Sequence, residues 1–111
     1  MAYASAITAL ADPTRRAVFE ELRSGPRAVG EIAARLPVSR PAVSQHLRVL
    51  KDAGLVRDRA QGTRRLYSLN GDGLAELRDY VNGFWDEALA AYERAANDDD
   101  TEGDDDGADR G

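Results

Sequence analysis

Apolar positions in this chain follow a helical spacing, switch to alternation, and then return to the helical spacing. Residues 3–10, YASAITAL, predict a short Ala-rich helix that needs a partner surface. Asp12-Pro13 predicts the next helix start, because aspartate accepts backbone N–H groups at a cap and proline suits the first turn. That helix carries Val18 and Leu22 on one stripe, Arg15 and Phe19 on another, and stops near Ser24-Gly25-Pro26. Residues 29–36 predict a third helix with Ile32, Ala33 and Leu36 inward, broken by Pro37. Ser39 caps a fourth, Pro41 sits in its first turn, and Val43, Leu47 and Leu50 carry it to Ala53, where Gly54 ends it. Leu55–Arg59 and Arg64–Leu69 predict two short strands, with Gln61-Gly62 at the turn between them and Tyr67 packed inward, opposite to Leu66. Residues 70–73 predict a turn. A long helix from about Leu74 to Ala96 then repeats Leu74, Leu77, Val81, Phe84, Ala88 and Tyr92 at helical spacing.

The predicted class is therefore mainly α with a two-stranded β wing. The order α-α-α-α-β-β-α is that of a winged helix-turn-helix. With 111 residues, one domain over residues 1–96 and an acidic, disordered tail over 97–111 are expected. Apolar runs are far below the ~20 residues of a membrane helix, and the N-terminus lacks the basic-then-apolar order of a secretion signal. A cytoplasmic protein with no membrane partner is expected. Absence of cysteine removes disulfides, thiolate metal sites and thiol nucleophiles, and the single histidine, His46, cannot build a multi-histidine site. The expectations are no catalytic residue, no metal, no cofactor and no enzyme activity.

Charge refines this picture. The net charge is −5, but residues 98–111 alone hold eight acids and one base. Residues 27–65 hold nine bases and three acids, a net of +6. Such a basic block is the footprint expected for a phosphate-backbone partner. On the fourth helix the aliphatic seam of Val43, Leu47 and Leu50 leaves Pro41, Ser44, Gln45, Arg48 and Asp52 on the opposite side. Gln suits a two-pronged contact with adenine, Arg suits guanine or phosphate, and Ser suits either. A convex polar helix face is the shape a major groove accepts. Arg57 and Arg59 share one strand face, Arg64 and Arg65 follow on the next strand, and four arginines on a ribbon suit phosphates or a minor groove. The expected DNA-binding set is Ser39, Arg40, Pro41, Ser44, Gln45, His46, Arg48, Lys51, Arg57, Arg59, Arg64 and Arg65. The last helix is too apolar for one small domain, and the first has the same excess. Pairing both across a two-fold axis, through Tyr3, Ile7, Leu10, Val81, Phe84, Trp85, Ala88, Leu89 and Tyr92, resolves this. The alternative is a winged-helix module that binds protein without sequence-specific DNA binding.

The stretches ADPTRR, EIAARL and SRPAVSQHLRVLKDAGLV, in order, with the closing Gly, Arg, Tyr and Leu of GTRRLYSL, resemble the ArsR-type winged-helix repressors. The resemblance covers residues 7–70 closely and the final helix loosely. It implies a homodimeric transcriptional repressor that binds a double-stranded operator with inverted-repeat symmetry, the dimer being made by the first and last helices. It places Ser44, Gln45 and His46 where the family contacts DNA, with Arg48 and the wing arginines beside them. The third helix, VGEIAARLP, lacks the cysteine motif of the metal-sensing members, and the last helix lacks histidine. The chain therefore resembles the metal-independent subgroup, whose inducers are diverse, and its own inducer is left open.

Overall fold

A computed structural model describes residues 2–101 of the chain and, within them, the side chains of residues 4–98. The elements are α1 (Ala2–Leu10), α2 (Pro13–Glu20), β1 (Arg27–Ala28), α3 (Val29–Ala33), α4 (Arg40–Asp52), β2 (Val56–Gln61), β3 (Arg64–Leu69) and α5 (Gly71–Thr101). The chain divides into two units, one ending at Arg78 and the other beginning at Asp79.

In the first unit the helices begin where the capping chemistry directs. Asp12 Oδ1 accepts the backbone N–H groups of Thr14 at 2.9 Å and Arg15 at 3.0 Å, and Pro13 opens α2. Ser39 Oγ accepts the Ala42 N–H at 3.2 Å and so starts α4. Glu31 reaches back from α3 to accept the Ala28 N–H at 2.8 Å. At the far end of α4, Gly54 takes φ +82°. Its N–H donates to the Lys51 carbonyl and the Leu55 N–H donates to the Leu50 carbonyl, a Schellman ending that needs a residue free of Cβ strain. The core is Val18, Leu22, Ile32, Val43, Leu47, Leu50, Leu55 and Val56, all almost fully buried. Ala6 and Ala9 bury the small face of α1 beside them.

The wing departs from expectation in one respect. It is the outer part of a three-stranded antiparallel sheet ordered β1-β3-β2, with Arg27 opposite Tyr67 and Ala28 opposite Leu66. A two-residue strand has no alternation to read, so β1 leaves no trace in the apolar pattern. Register pairs Val56 with Leu69 and Gln61 with Arg64, which leaves Gly62 and Thr63 as the hairpin turn. Only Gly62 of these two has positive φ, +64°, as a turn with glycine in first position requires. Tyr67 packs partly against the core, as expected, while Leu66 on the other face is buried as well. As the middle-strand residue between Ala28 and Arg59, Leu66 is sheltered on both sides.

Helix limits also shift. The second helix stops at Glu20, and α3 stops at Ala33, three residues short of Leu36. Leu36 still packs against the core from the following turn. The last helix begins at Gly71 and runs through the expected boundary at Ala96 to Thr101. Residues 97–101 are thus helical, and the rest of the expected tail, 102–111, lies outside the described residues. Asn70 starts α5, its Oδ1 accepting the Asp72 N–H at 3.1 Å.

Gly73, in the first turn of α5, lies against the carbonyl group of Gly54. A methyl group there would run into backbone, and Gly54 is itself pinned by its positive φ. Gly73→Ala is expected to cost about 2–3 kcal/mol, read as a lower urea midpoint at an unchanged slope.

In the second unit, α5 carries a ladder of rings. Tyr80 and Phe84 have centroids 6.5 Å apart, and Phe84 and Trp85 6.2 Å apart, with planes within 26° and 18°.

Candidate nucleic-acid interface

Helix α4 separates its faces cleanly. Val43, Leu47 and Leu50 are fully buried, and Pro41, Ser44, Gln45 and Arg48 are exposed. His46 is half-buried between the two faces, and the Ser39 hydroxyl is committed to the helix cap. The Arg40 guanidinium lies across Gly30 of α3, in space that any side chain at 30 would occupy. The exposed face of α4 thus offers an amide, a hydroxyl and a guanidinium on one convex surface, with a second guanidinium at its N-terminal end.

The basic residues expected to meet DNA fall into two groups. Arg40, Arg48, Arg57 and Arg59 are exposed, and their side chains have no hydrogen bond or ion pair among the described residues. Lys51, Arg64 and Arg65 already hold acids. Lys51 Nζ lies 2.9 Å from Asp58 Oδ1, and Arg65 Nη1 donates to Asp58 Oδ2 at 3.0 Å. Arg64 Nη2 lies 3.2 Å from Glu31 Oε1. All three cations are about half exposed, whereas the Asp58 side chain is only 10% exposed. Strand alternation explains that burial, since Asp58 shares the inward face of β2 with Val56 and stands opposite Tyr67.

Asp58 and Glu31 entered the sequence-based expectation only as charges subtracted from a basic block. Their parity and spacing carry the missing signal. An acid two residues after a buried strand valine faces inward, and an inward acid demands a cation. Asp58 has its carboxyl held below the usual carboxylate range, chiefly by the hydrogen bond from Lys51. Glu31 is also lowered, first by the Ala28 N–H. Because the folded state binds the Asp58 proton more weakly than the unfolded chain, its stabilisation is complete above the unfolded carboxyl pKa of about 4 and is lost as pH falls below that. Asp58→Asn is expected to flatten the acid-side decline in stability, measured by urea unfolding at a series of pH values from neutral down through that range.

Placement of the expected dimer residues is mixed. Ile7, Val81, Phe84, Trp85, Leu89 and Tyr92 are exposed, Ala88 is half-buried, and Leu10 packs partly on the core. The Tyr3 side chain lies outside the described residues.

Comparison with known proteins agrees with this geometry. Residues 10–59 match a helix-turn-helix domain family. The chain is 60% identical over 97 residues to the HTH-type transcriptional regulator Rv2034 of Mycobacterium tuberculosis, covering 87% of this chain and 88% of that protein. It superposes on an ArsR-like transcriptional regulator from Rhodococcus sp. RHA1 with a TM-score of 0.69 at 34% identity, covering 86% of this chain and 92% of the other. The chain belongs to the ArsR family of winged helix-turn-helix transcriptional regulators. A third relative in structure is the homodimeric winged helix-turn-helix DNA-binding domain of Mb0332 from Mycobacterium bovis, with a TM-score of 0.63 at 35% identity over 79% of this chain and 82% of that one. As a member of the ArsR family the protein is a DNA-binding transcriptional regulator and not an enzyme.

Proposed function

We propose that the protein is a homodimeric, metal-independent repressor that reads an inverted-repeat operator. The outer face of α4 enters the major groove, with Ser44, Gln45 and Arg48 at base edges and Arg40 at its entrance. Arg57 and Arg59 of the wing hold the flanking backbone. The observation that carries this is the pairing of a wholly buried aliphatic seam with an exposed hydrogen-bonding face, next to two wing arginines that have no acid partner among the described residues. His46 flanks the reading face, and Pro41 shapes its first turn.

Dimerisation uses α1 and the exposed aromatic face of α5, and the homodimeric Mb0332 domain supports it. Two-fold symmetry would set the two α4 helices about 34 Å apart, one turn of duplex. Metal independence rests on donor chemistry, since the chain has no cysteine and one histidine. Action in the cytoplasm agrees with the absence, among the described residues, of any helix long and apolar enough to cross a membrane.

Selection of bound duplexes from a random-sequence pool is the test. Enrichment of an inverted repeat with half-sites one turn apart is expected. Recovery of no sequence at low salt, or of an isolated half-site, would overturn the proposal. Gln45→Ala is then expected to lose ~1–3 kcal/mol on the selected site and to relax the preference at one base position per half-site, as measured by titration of single-base variants.

A further inference from the structure

We propose that Asp58 is a positioning residue that raises DNA specificity by clamping the wing to the recognition helix and by withholding two cations from the phosphate backbone. This rests on the reading of α4 and the wing as the DNA-binding surface.

Three observations carry it. The Asp58 carboxylate is nearly buried, at 10% side-chain exposure, while both of its partners are half exposed. The partners come from different elements, Lys51 from the last turn of α4 and Arg65 from β3. Each oxygen serves one partner, Oδ1 facing Lys51 at 2.9 Å and Oδ2 facing Arg65 at 3.0 Å. One carboxylate therefore links the reading helix to both strands of the ribbon, its own β2 and the neighbouring β3. Base readout needs helix and wing to arrive with a fixed spacing, because wing contacts set the register of the helix in the groove.

Electrostatics points the same way. Each cation that neutralises a phosphate adds about 0.9 to the slope of log affinity against log salt, and that gain is independent of sequence. A cation held by Asp58 adds little to it. Lys51 and Arg65 would otherwise strengthen binding to every duplex, and specificity is the ratio of the selected site to all others. Asp58 thus lowers the background while it orders the reading surface. Arg57 and Arg59, which have no acid partner among the described residues, are left to hold the backbone.

The test compares the full-length protein with Asp58→Asn, Asp58→Glu, Arg65→Gln and Glu20→Gln on two duplexes of equal length, one recovered by selection and one scrambled. Asp58→Asn is expected to bind the scrambled duplex more tightly, to steepen its salt slope by up to about 0.9 per released cation, and to cut the specific-to-scrambled ratio about tenfold or more. Asp58→Glu restores most of the ratio. Glu20→Gln removes the same charge from an exposed position at the end of α2, outside the reading helix and the wing and with no ion pair among the described residues, and leaves the ratio within about twofold of the unaltered protein's. A merely structural role would lower both affinities together and leave the ratio standing. If Asp58→Asn does not fold, Arg65→Gln decides, and it is expected to keep the unaltered protein's salt slope. A flattening by about one unit would place Arg65 on a phosphate and overturn the clamp. An Asp58→Asn protein with unchanged ratio and slope would overturn it too, while the unaltered protein's preference for the selected duplex leaves the DNA-binding reading intact. If the unaltered protein shows no such preference, the reading and the clamp fall together.

Discussion

Trp85→Glu is expected to sediment as a monomer and to bind its operator about 100-fold or more weakly than the unaltered protein. Trp85 is 58% exposed and Tyr92 is 70% exposed, with Phe84 and Leu89 also open on the same helix. A run of large apolar side chains left in solvent marks an interaction surface. Aromatic anchors at the centre of such a surface carry a large share of its energy. A glutamate in place of the indole would have to be desolvated without a designed partner. Loss of the dimer removes the linkage between two half-site contacts, and effective concentration then no longer supplements the affinity of one α4 helix. Folding of the first unit should survive, because Trp85 lies in the second unit and outside the buried core. A thermal transition like that of the unaltered protein, with a monomer mass by sedimentation, is the expected pair of results. A persistent dimer would move the interface away from this face of α5.

Leu47→Ala is expected to cost ~3–5 kcal/mol and to lower the melting temperature by ~15 °C or more, followed by circular dichroism. Leu47 is the middle residue of the α4 seam, fully buried within a cluster contributed by α2, α3, α4 and the chain leading into β2. Truncation leaves a cavity that closely packed neighbours cannot fill. Ordinary domains have only about 5–15 kcal/mol in reserve, so DNA binding at 37 °C should fall through loss of folded protein. Ser44→Ala, one turn earlier and facing outward, should move stability by less than ~0.5 kcal/mol.

Much of this fold is legible from residue types alone. Asp12-Pro13, Ser39 with Pro41, and Gly54 mark helix ends through local hydrogen bonding, so they stand out without tertiary information. The seam and the outer face of α4 follow from helical spacing, and the structure keeps every assignment of Val43, Leu47, Leu50, Ser44, Gln45 and Arg48. Features set by distant partners are harder to see. The strand β1 exists because Arg27 and Ala28 find β3 nearly forty residues later. The stop of α3 at Ala33 is a matter of turn geometry before Pro37 that spacing does not encode. At the candidate site, a count of basic residues treats Lys51, Arg64 and Arg65 as equivalent to Arg57 and Arg59, whereas the first three hold acids. Only the parity of Asp58 on β2 and the turn-back of Glu31 on α3 distinguish them.

The division of α4 into two non-overlapping sets of positions has an evolutionary consequence. The buried positions of this helix and its exposed ones do not coincide, so substitutions at 44, 45 and 48 escape the purge that acts on destabilised proteins. After gene duplication, a copy of this chain could drift to a new target sequence one side chain at a time, without passing through an unfolded ancestor.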